Sequence, residues 1–315
     1  MSGRRQALLL LVPAALLLVL LLGGAQALML VASLGRRSAY GGVLHEWGAR
    51  NYLRALEPLY VGVLGRSVLL AAATTVACLL IGYPVAYWLA RQAPPRWRRG
   101  LLVLVILPFW TSFLVRMYAW MFLLRTEGLV NLTLGALGLP ALNLLYNPAA
   151  VLLGQVYGEL PFVILPLYAS LEKLDPSLLD AAADLGAPPR AVLRRVVLPL
   201  TRPGIVAGGV LVFIPSLGAY LAPDLLGGAR HVYVGNLIQS QFAVARDIPF
   251  GAALSFLLSA AVLLTAAAAR GLGQRGRLRL PVRAAPGAGR LLLQPRPPGR
   301  ALGGVHPGLV RGRPA

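Results

Sequence analysis

Charge is scarce in this chain. Of its 315 residues only 13% are Asp, Glu, Lys or Arg, where a soluble globular domain carries about 25%. Acidic residues are the scarcer kind, 10 against 30 basic ones. Cysteine is nearly absent. Cys78 stands alone inside an apolar run, which excludes an internal disulfide and a cysteine-built metal centre, and leaves a small core residue. The three histidines, His45, His231 and His306, have no ligand spacing. The chain lacks a GxxxxGK stretch followed by Ser or Thr, so it has no Walker A loop to cradle a nucleotide's phosphates. It shows no internal repeat and no nucleophile–base or metal constellation, which argues against a membrane enzyme.

What fills the chain is apolar. Hydrophobic residues make up 57% and mean hydropathy is +0.71. That balance implies an all-α integral membrane protein. A formal net charge of +20 on a soluble protein would suggest nucleic acid. No basic–aromatic module recurs here, so nucleic acid is not an expected partner. Arginines collect in the cytoplasmic loops of membrane proteins, where they face anionic lipid heads.

A helical span needs about 20 mostly apolar residues. Six runs qualify, at roughly 7–33, 65–90, 101–124, 148–170, 203–223 and 251–269. They are continuous and rich in Leu, Ala and Val, not alternating as barrel strands would be. The first has signal-peptide features: Arg4 and Arg5, a leucine core, then Ala25-Gln26-Ala27. Its apolar stretch runs on to Ala32, so an uncleaved span is expected, with a cleaved signal of residues 1–27 as the alternative.

Basic residues set the orientation. With both termini cytoplasmic, the inner segments hold Arg4 and Arg5, the cluster Arg91–Arg99, the stretch Lys173–Arg202 and the arginine-rich tail. The outer segments hold fewer. Three regions follow: residues 1–62, a first transmembrane helix and an external loop; 63–270, the transmembrane domain, with a cytoplasmic loop at 172–202; and 271–315, a Gly-, Pro- and Arg-rich tail read as disordered cytoplasmic sequence.

The loop is the most polar part of the middle region. Asp175-Pro176 is a helix start, since Asp caps and Pro fits the first helical position. The helix should run through Asp180 and Asp184, on one face, and stop at Gly186. Ala181, Ala182 and Ala183 leave its surface low enough for another backbone to approach. Pro188-Pro189 should open a second short helix that ends before Pro199. Two short helices joined at a glycine bend make a compact knob. An ordinary solvated loop is the competing reading.

Asp180-Ala181-Ala182, then Gly186, then Val196-Val197-Leu198-Pro199 resembles the "EAA" loop of the membrane subunits of binding-protein-dependent ABC importers. Asp replaces Glu and Val replaces Ile. The stretches Leu107–Trp120, Gly158–Ala182 and Pro223–Phe242 are similar to the spermidine/putrescine permease subfamily. The resemblance covers roughly residues 60–270. It implies a type I ABC importer (MetI-like) fold with six transmembrane helices, in a bacterial cytoplasmic membrane. It also implies a second permease subunit, two ATPase subunits and an external solute-binding protein as partners. ATP would be bound and hydrolysed on the ATPase, leaving this chain without a cofactor and without enzyme activity. Asp180, Ala181, Ala182, Gly186, Leu198 and Pro199 would then be the ATPase-docking residues. One position departs: Ala219, in Pro215–Tyr220, stands where polyamine permeases commonly have Glu. That leaves another organic solute open.

Ionisable residues inside spans are functional candidates. Glu159 lies in the fourth span and Arg116 in the third. A substrate contact and a mutual ion pair are both open for Glu159. Pro161 and Pro166 should break the fourth span and free backbone carbonyls. Asp224 is placed to meet an incoming cation or to cap a helix. Trp110, Tyr157 and Tyr220 can contact an alkyl-ammonium through their ring faces, or sit in an interfacial aromatic belt. A stand-alone secondary transporter or channel is the rival from another class. It would need its own coupling-ion acids or inverted repeats, and neither is evident.

Overall fold

Proline marks the start of helix after helix. It is the first residue of five helices, at Pro58, Pro95, Pro148, Pro176 and Pro189, where its missing N–H costs nothing. The computed structural model describes residues 3–38, 42–44, 46–228 and 231–278. His45, Arg230 and the tail from residue 279 lie outside the described residues.

The chain begins as one continuous helix: α1 (Gly3–Leu18), a π turn (Val19–Gly23) and α2 (Gly24–Ser33). A short hairpin follows, β1 (Arg36–Arg37) pairing antiparallel with β2 (Val43–Leu44). Then come α3 (Arg50–Ala55), α4 (Pro58–Arg91), α5 (Pro95–Ile106), α6 (Phe113–Leu124), α7 (Leu129–Ala136) and α8 (Pro148–Glu172). The loop region holds α9 (Pro176–Asp184), α10 (Pro189–Val192), a π turn (Leu193–Val197) and α11 (Leu198–Leu200). The remaining elements are α12 (Arg202–Leu217), α13 (Leu221–Gly227), α14 (Val234–Ala243) and α15 (Ile248–Leu278).

Among the described residues four helices are long and apolar enough to cross a membrane: Leu11–Ser33, Pro58–Arg91, Pro148–Glu172 and Ile248–Ala268. Two bent pairs bring the number to six if each is one span. Pro95–Trp110 meets Phe113–Ala136 at 88°, and Pro189–Leu200 meets Arg202–Leu217 at 67°. The expected straight run over 101–124 is therefore broken. Leu107–Trp110 tightens to a 3₁₀ turn around Pro108, Thr111 is extended, and Thr111 Oγ1 donates to Pro108 O at 2.7 Å.

Five other expectations are corrected. α4 starts at Pro58, ahead of the expected 65, because Pro58 opens the helix and Glu57 precedes it in extended backbone. α8 is not broken by Pro161 or Pro166; each proline removes a single intrahelical bond, and the packed helices around α8 hold the rest in line. The second loop helix continues past Pro199 to Leu200. The π turn before it puts Pro199 in a fresh first turn, where no N–H is needed. The fifth span ends at Leu217, short of 223. There α14 crosses so closely that a Cβ on Gly235 would lie 2.5 Å from Ala219 O. At the far end, α15 carries residues 271–278 as helix, where the start of the tail was expected to be disordered.

α4, α8 and α12 form the core. Cys78 Sγ lies 3.7 Å from Val156 O, and Arg91 Nη2 donates to Leu174 O at 2.7 Å, so α4 and α8 run parallel. α12 runs against them: Gly208 backs onto Val163 and Gly204 onto Pro166 and Ser170. Cys78, Leu89, Val163, Leu167, Leu171 and Val212 fill the space between. A second cluster, with Met117, Val151, Ala222 and Leu226, joins α6, α8 and α13. Cys78 is fully buried, matching its reading as a core residue.

Candidate functional site: an exposed loop and a buried polar layer

Local sequence builds the loop. Asp175 caps α9, its Oδ1 accepting from Ser177 N at 3.0 Å. That bond, together with Arg91, holds its carboxyl below the usual aspartate range. α9 ends in a Schellman motif: Gly186 N donates to Ala183 O at 2.8 Å, and Ala187 N to Ala182 O at 3.2 Å. Gly186 has φ +73°, which explains why glycine stands there. No residue of α9 is buried. Asp180, Ala181 and Gly186 are exposed; Ala182, Leu198 and Pro199 are half-buried. Leu185 at the tip is 87% exposed.

The knob is fixed from below. Leu174, Leu179, Val192 and Leu193 pack on the core cluster and Val197 belongs to it. Tyr83 Oη and Thr201 Oγ1 are 3.0 Å apart, tying α4 to the junction of loop and α12. A rigid, small-residue surface with an uncovered leucine is suited to a protein partner.

The other candidate residues sort into a layer and a periphery. Gly154 and Gly158 let α8 approach α6. A Cβ on Gly158 would lie 2.7 Å from Phe113, and one on Gly154 would overlap Leu226 beside Met117. This contact brings Arg116, Tyr157 and Glu159 together. The Arg116 guanidinium lies 5.4–6.0 Å from the ring centroids of Phe113, Phe109 and Tyr157. Tyr157 meets Trp120 edge-on at 5.5 Å. Glu159 is only 8% exposed.

Arg116 and Glu159 do not form the ion pair that was one reading of them. The ion pairs among the described residues are Arg36–Glu46 and Arg54–Asp247. Arg116 Nε and Nη1 and Glu159 Oε2 are buried without a hydrogen-bond partner in the chain. Their sequence distance hid three companions in the same condition: Gln155 Nε2 and Oε1, Thr74 Oγ1 and Ser216 Oγ. The contacts above place all five residues within about two helical turns of one level, roughly 11 Å. Gln155 carried a signal that could have been read, since it precedes Glu159 by four residues and so shares its face. Thr74 and Ser216 carried none.

The periphery holds the rest. Trp110, on the 3₁₀ turn, is 88% exposed. Tyr220 and Asp224 lie at and within α13, exposed at the surface, and Tyr220 O accepts from Asn236 Nδ2 at 3.1 Å. The structure does not bring these three into the layer. Among the described residues no group of three or more His, Cys, Asp or Glu could hold a metal ion.

The profile of the family described as "Binding-protein-dependent transport system inner membrane component" matches residues 82–277. The chain is 47% identical over 212 residues to the spermidine/putrescine transport system permease protein PotB of Escherichia coli (strain K12). The match covers 66% of this chain and 76% of that protein. PotB of Haemophilus influenzae is 45% identical over 217 residues, covering 68% and 75%. Among solved structures, a chain of a bacterial ABC transporter involved in the import of the acidic polysaccharide alginate superposes with a TM-score of 0.71. It is 16% identical, with 86% of this chain and 96% of that one covered.

Proposed function

The chain belongs to the binding-protein-dependent transport system inner membrane components, and from that premise we propose that it is the permease subunit of an ABC importer that moves a polyamine such as spermidine or putrescine inward. The observation that carries the reading is the loop: a capped, Schellman-terminated knob with no buried residue in α9, seated on the core through Leu179 and Leu193. Asp180, Ala181, Ala182 and Gly186 form its contact with an ATPase subunit, which binds and hydrolyses the ATP. Leu198 and Pro199 couple it to α12. A second permease, a second ATPase and an external solute-binding protein complete the assembly. Both termini and the loop face the cytoplasm, in keeping with the arginine bias.

The polyamine assignment rests on the names of the two similar permeases, and the chemistry of the layer agrees with it. Glu159 supplies a counter-charge and Tyr157 and Trp120 supply ring faces, the groups an alkyl-ammonium needs. Ala219 removes a carboxylate from the route, so a different organic solute is the second reading. The test is uptake by proteoliposomes holding both permeases and the ATPases, with the solute-binding protein added outside. Spermidine or putrescine should accumulate only with ATP inside. Uptake without the ATPase subunits would instead identify a stand-alone transporter, and ATP-driven uptake of another solute alone would overturn the polyamine assignment.

A further inference from the structure

The end of the molecule opposite the loop carries a basic cavity lined by none of the candidate site residues. α4 is 34 residues long, about 50 Å, and the loop base sits at its Arg91 end. At its Pro58 end a cavity of about 300 Å³ opens among the α2 terminus, the hairpin, α3 and Asp247. Four arginines line it, with two acids. Arg54 is committed: its Nη1 meets Asp247 Oδ2 at 2.8 Å, its Nη2 donates to Tyr60 Oη at 3.2 Å, and its guanidinium lies 4.0 Å from the Phe250 ring centroid. Arg36 pairs with Glu46 at 3.3 Å. Arg37 and Arg50 line the same cavity and have no acidic partner among the described residues.

The walls are held in place. Asn51 Nδ2 donates to Ser33 O at 2.7 Å and Gly35 O at 2.9 Å, and Ser33 Oγ lies 2.7 Å from Tyr52 Oη. The cavity is thus built where the first apolar helix ends. None of the apolar window of Leu11–Ser33 is buried within the chain, and Trp47, at the cavity, is 68% exposed. An exposed tryptophan beside the end of an apolar helix marks the membrane–water interface.

We propose that this cavity binds the phosphate of an anionic phospholipid, phosphatidylglycerol in kind, with Arg37 and Arg50 as the phosphate ligands and the Leu11–Ser33 helix as the wall for its acyl chains. Two guanidiniums without an acidic partner supply the positive charge and the N–H donors that a phosphate takes, and an uncovered apolar helix matches the chains. A protein partner fits less well, because it needs a broad face of about 800 Å² and this site is concave and small. The proposal does not depend on the transported solute.

Native mass spectrometry of the full-length protein in detergent tests it, titrating phosphatidylglycerol against phosphatidylcholine of the same acyl chains. Phosphatidylglycerol should bind in preference. The double variant Arg37→Gln/Arg50→Gln should bind it about thirtyfold more weakly, the scale of two near-surface arginines. Arg37→Lys/Arg50→Lys should recover most of the loss, and Arg96→Gln/Arg99→Gln, on the loop side, should keep the preference for phosphatidylglycerol. Equal affinity for the two lipids, or unchanged binding by the Gln pair, overturns the proposal. So does displacement of the lipid by millimolar inorganic phosphate, which would make this a small-anion site. Loss of solute-binding-protein docking by the Gln pair with lipid binding intact would also overturn it, by assigning the cavity to that protein.

Discussion

Small residues do opposite things in the two functional regions. In the core, Gly154 and Gly158 are contact surfaces: a single carbon added at either meets Leu226, Met117 or Phe113. In the loop, a carbon added at Gly186 meets nothing within 4 Å, and Ala181 and Ala183 of α9 are uncovered. The core spends its small residues on neighbours already present in the chain. The loop keeps its own for a neighbour that is another chain. A low, rigid surface that the protein itself does not cover is what a docking element has to be.

The sharpest way to break this contrast is Gly158→Leu. The side chain has no room beside Phe113, and overpacking of this kind costs about 1–3 kcal/mol or more. Loss of a monodisperse detergent-purified protein is the expected outcome. A variant that purifies and transports normally would show that α6 and α8 are not packed as described. Gly186→Leu is the matching change in the loop. It has space but must hold φ +73°, a local cost of about 1–2 kcal/mol. The protein should insert and purify normally yet fail to retain the ATPase on co-purification, with transport lost. Full retention would remove the loop from the contact.

A smaller effect is expected at Glu159. Glu159→Gln keeps the shape and removes the charge, so uptake of a cationic solute should fall roughly tenfold, the scale of one charge-assisted contact, with ATPase co-purification unchanged. Uptake equal to the parent at every solute concentration would leave the residue a structural role. Disassembly would show instead that Arg116 depends on the Glu159 charge without touching it.

The smallest effect concerns the cap of α9. The Asp175 carboxyl is held below its ordinary value by the Ser177 N–H. The sign follows: a lowered folded pKa means the cap's contribution is fully present above the ordinary aspartate value of about 3.9 and is lost as pH falls through the lowered one. Amide exchange at the start of α9, corrected for intrinsic rates, should therefore lose protection only in strong acid. Asp175→Asn should abolish that dependence. An acid-induced loss that survives in Asp175→Asn would place its origin elsewhere.

How far the sequence could be read follows the same division. The loop was legible because its structure is local: Asp175 capping, Pro176 and Pro189 opening, Gly186 closing. The core was legible only as apolar runs. Pro108 gave a hint of the 88° break, but the hydropathy on either side is continuous, and a bend of that size is set by what α6 packs against. Conversely Pro161 and Pro166 looked like breaks and are not, since packing holds α8 straight. Glu159 and Arg116 stood out as charges. Gln155, Thr74 and Ser216 did not, because a neutral polar residue in an apolar run means little until three helices are aligned and its partners are found missing.

The contrast between the first helix and α4 has a consequence for how the protein is made. Among its described side chains, the Leu11–Ser33 helix buries only Ser33, so it can leave the insertion machinery for lipid as soon as it is synthesised. α4 cannot be complete so early. Its buried Thr74 and Cys78 face α8, and Cys78 meets Val156 across 78 residues of chain. At about 5–20 residues per second, α8 follows some 4–16 s later. For those seconds the polar face of α4 has only lipid, the insertion machinery or a chaperone to rest against, so α4 is the helix whose delivery to the membrane has to be timed.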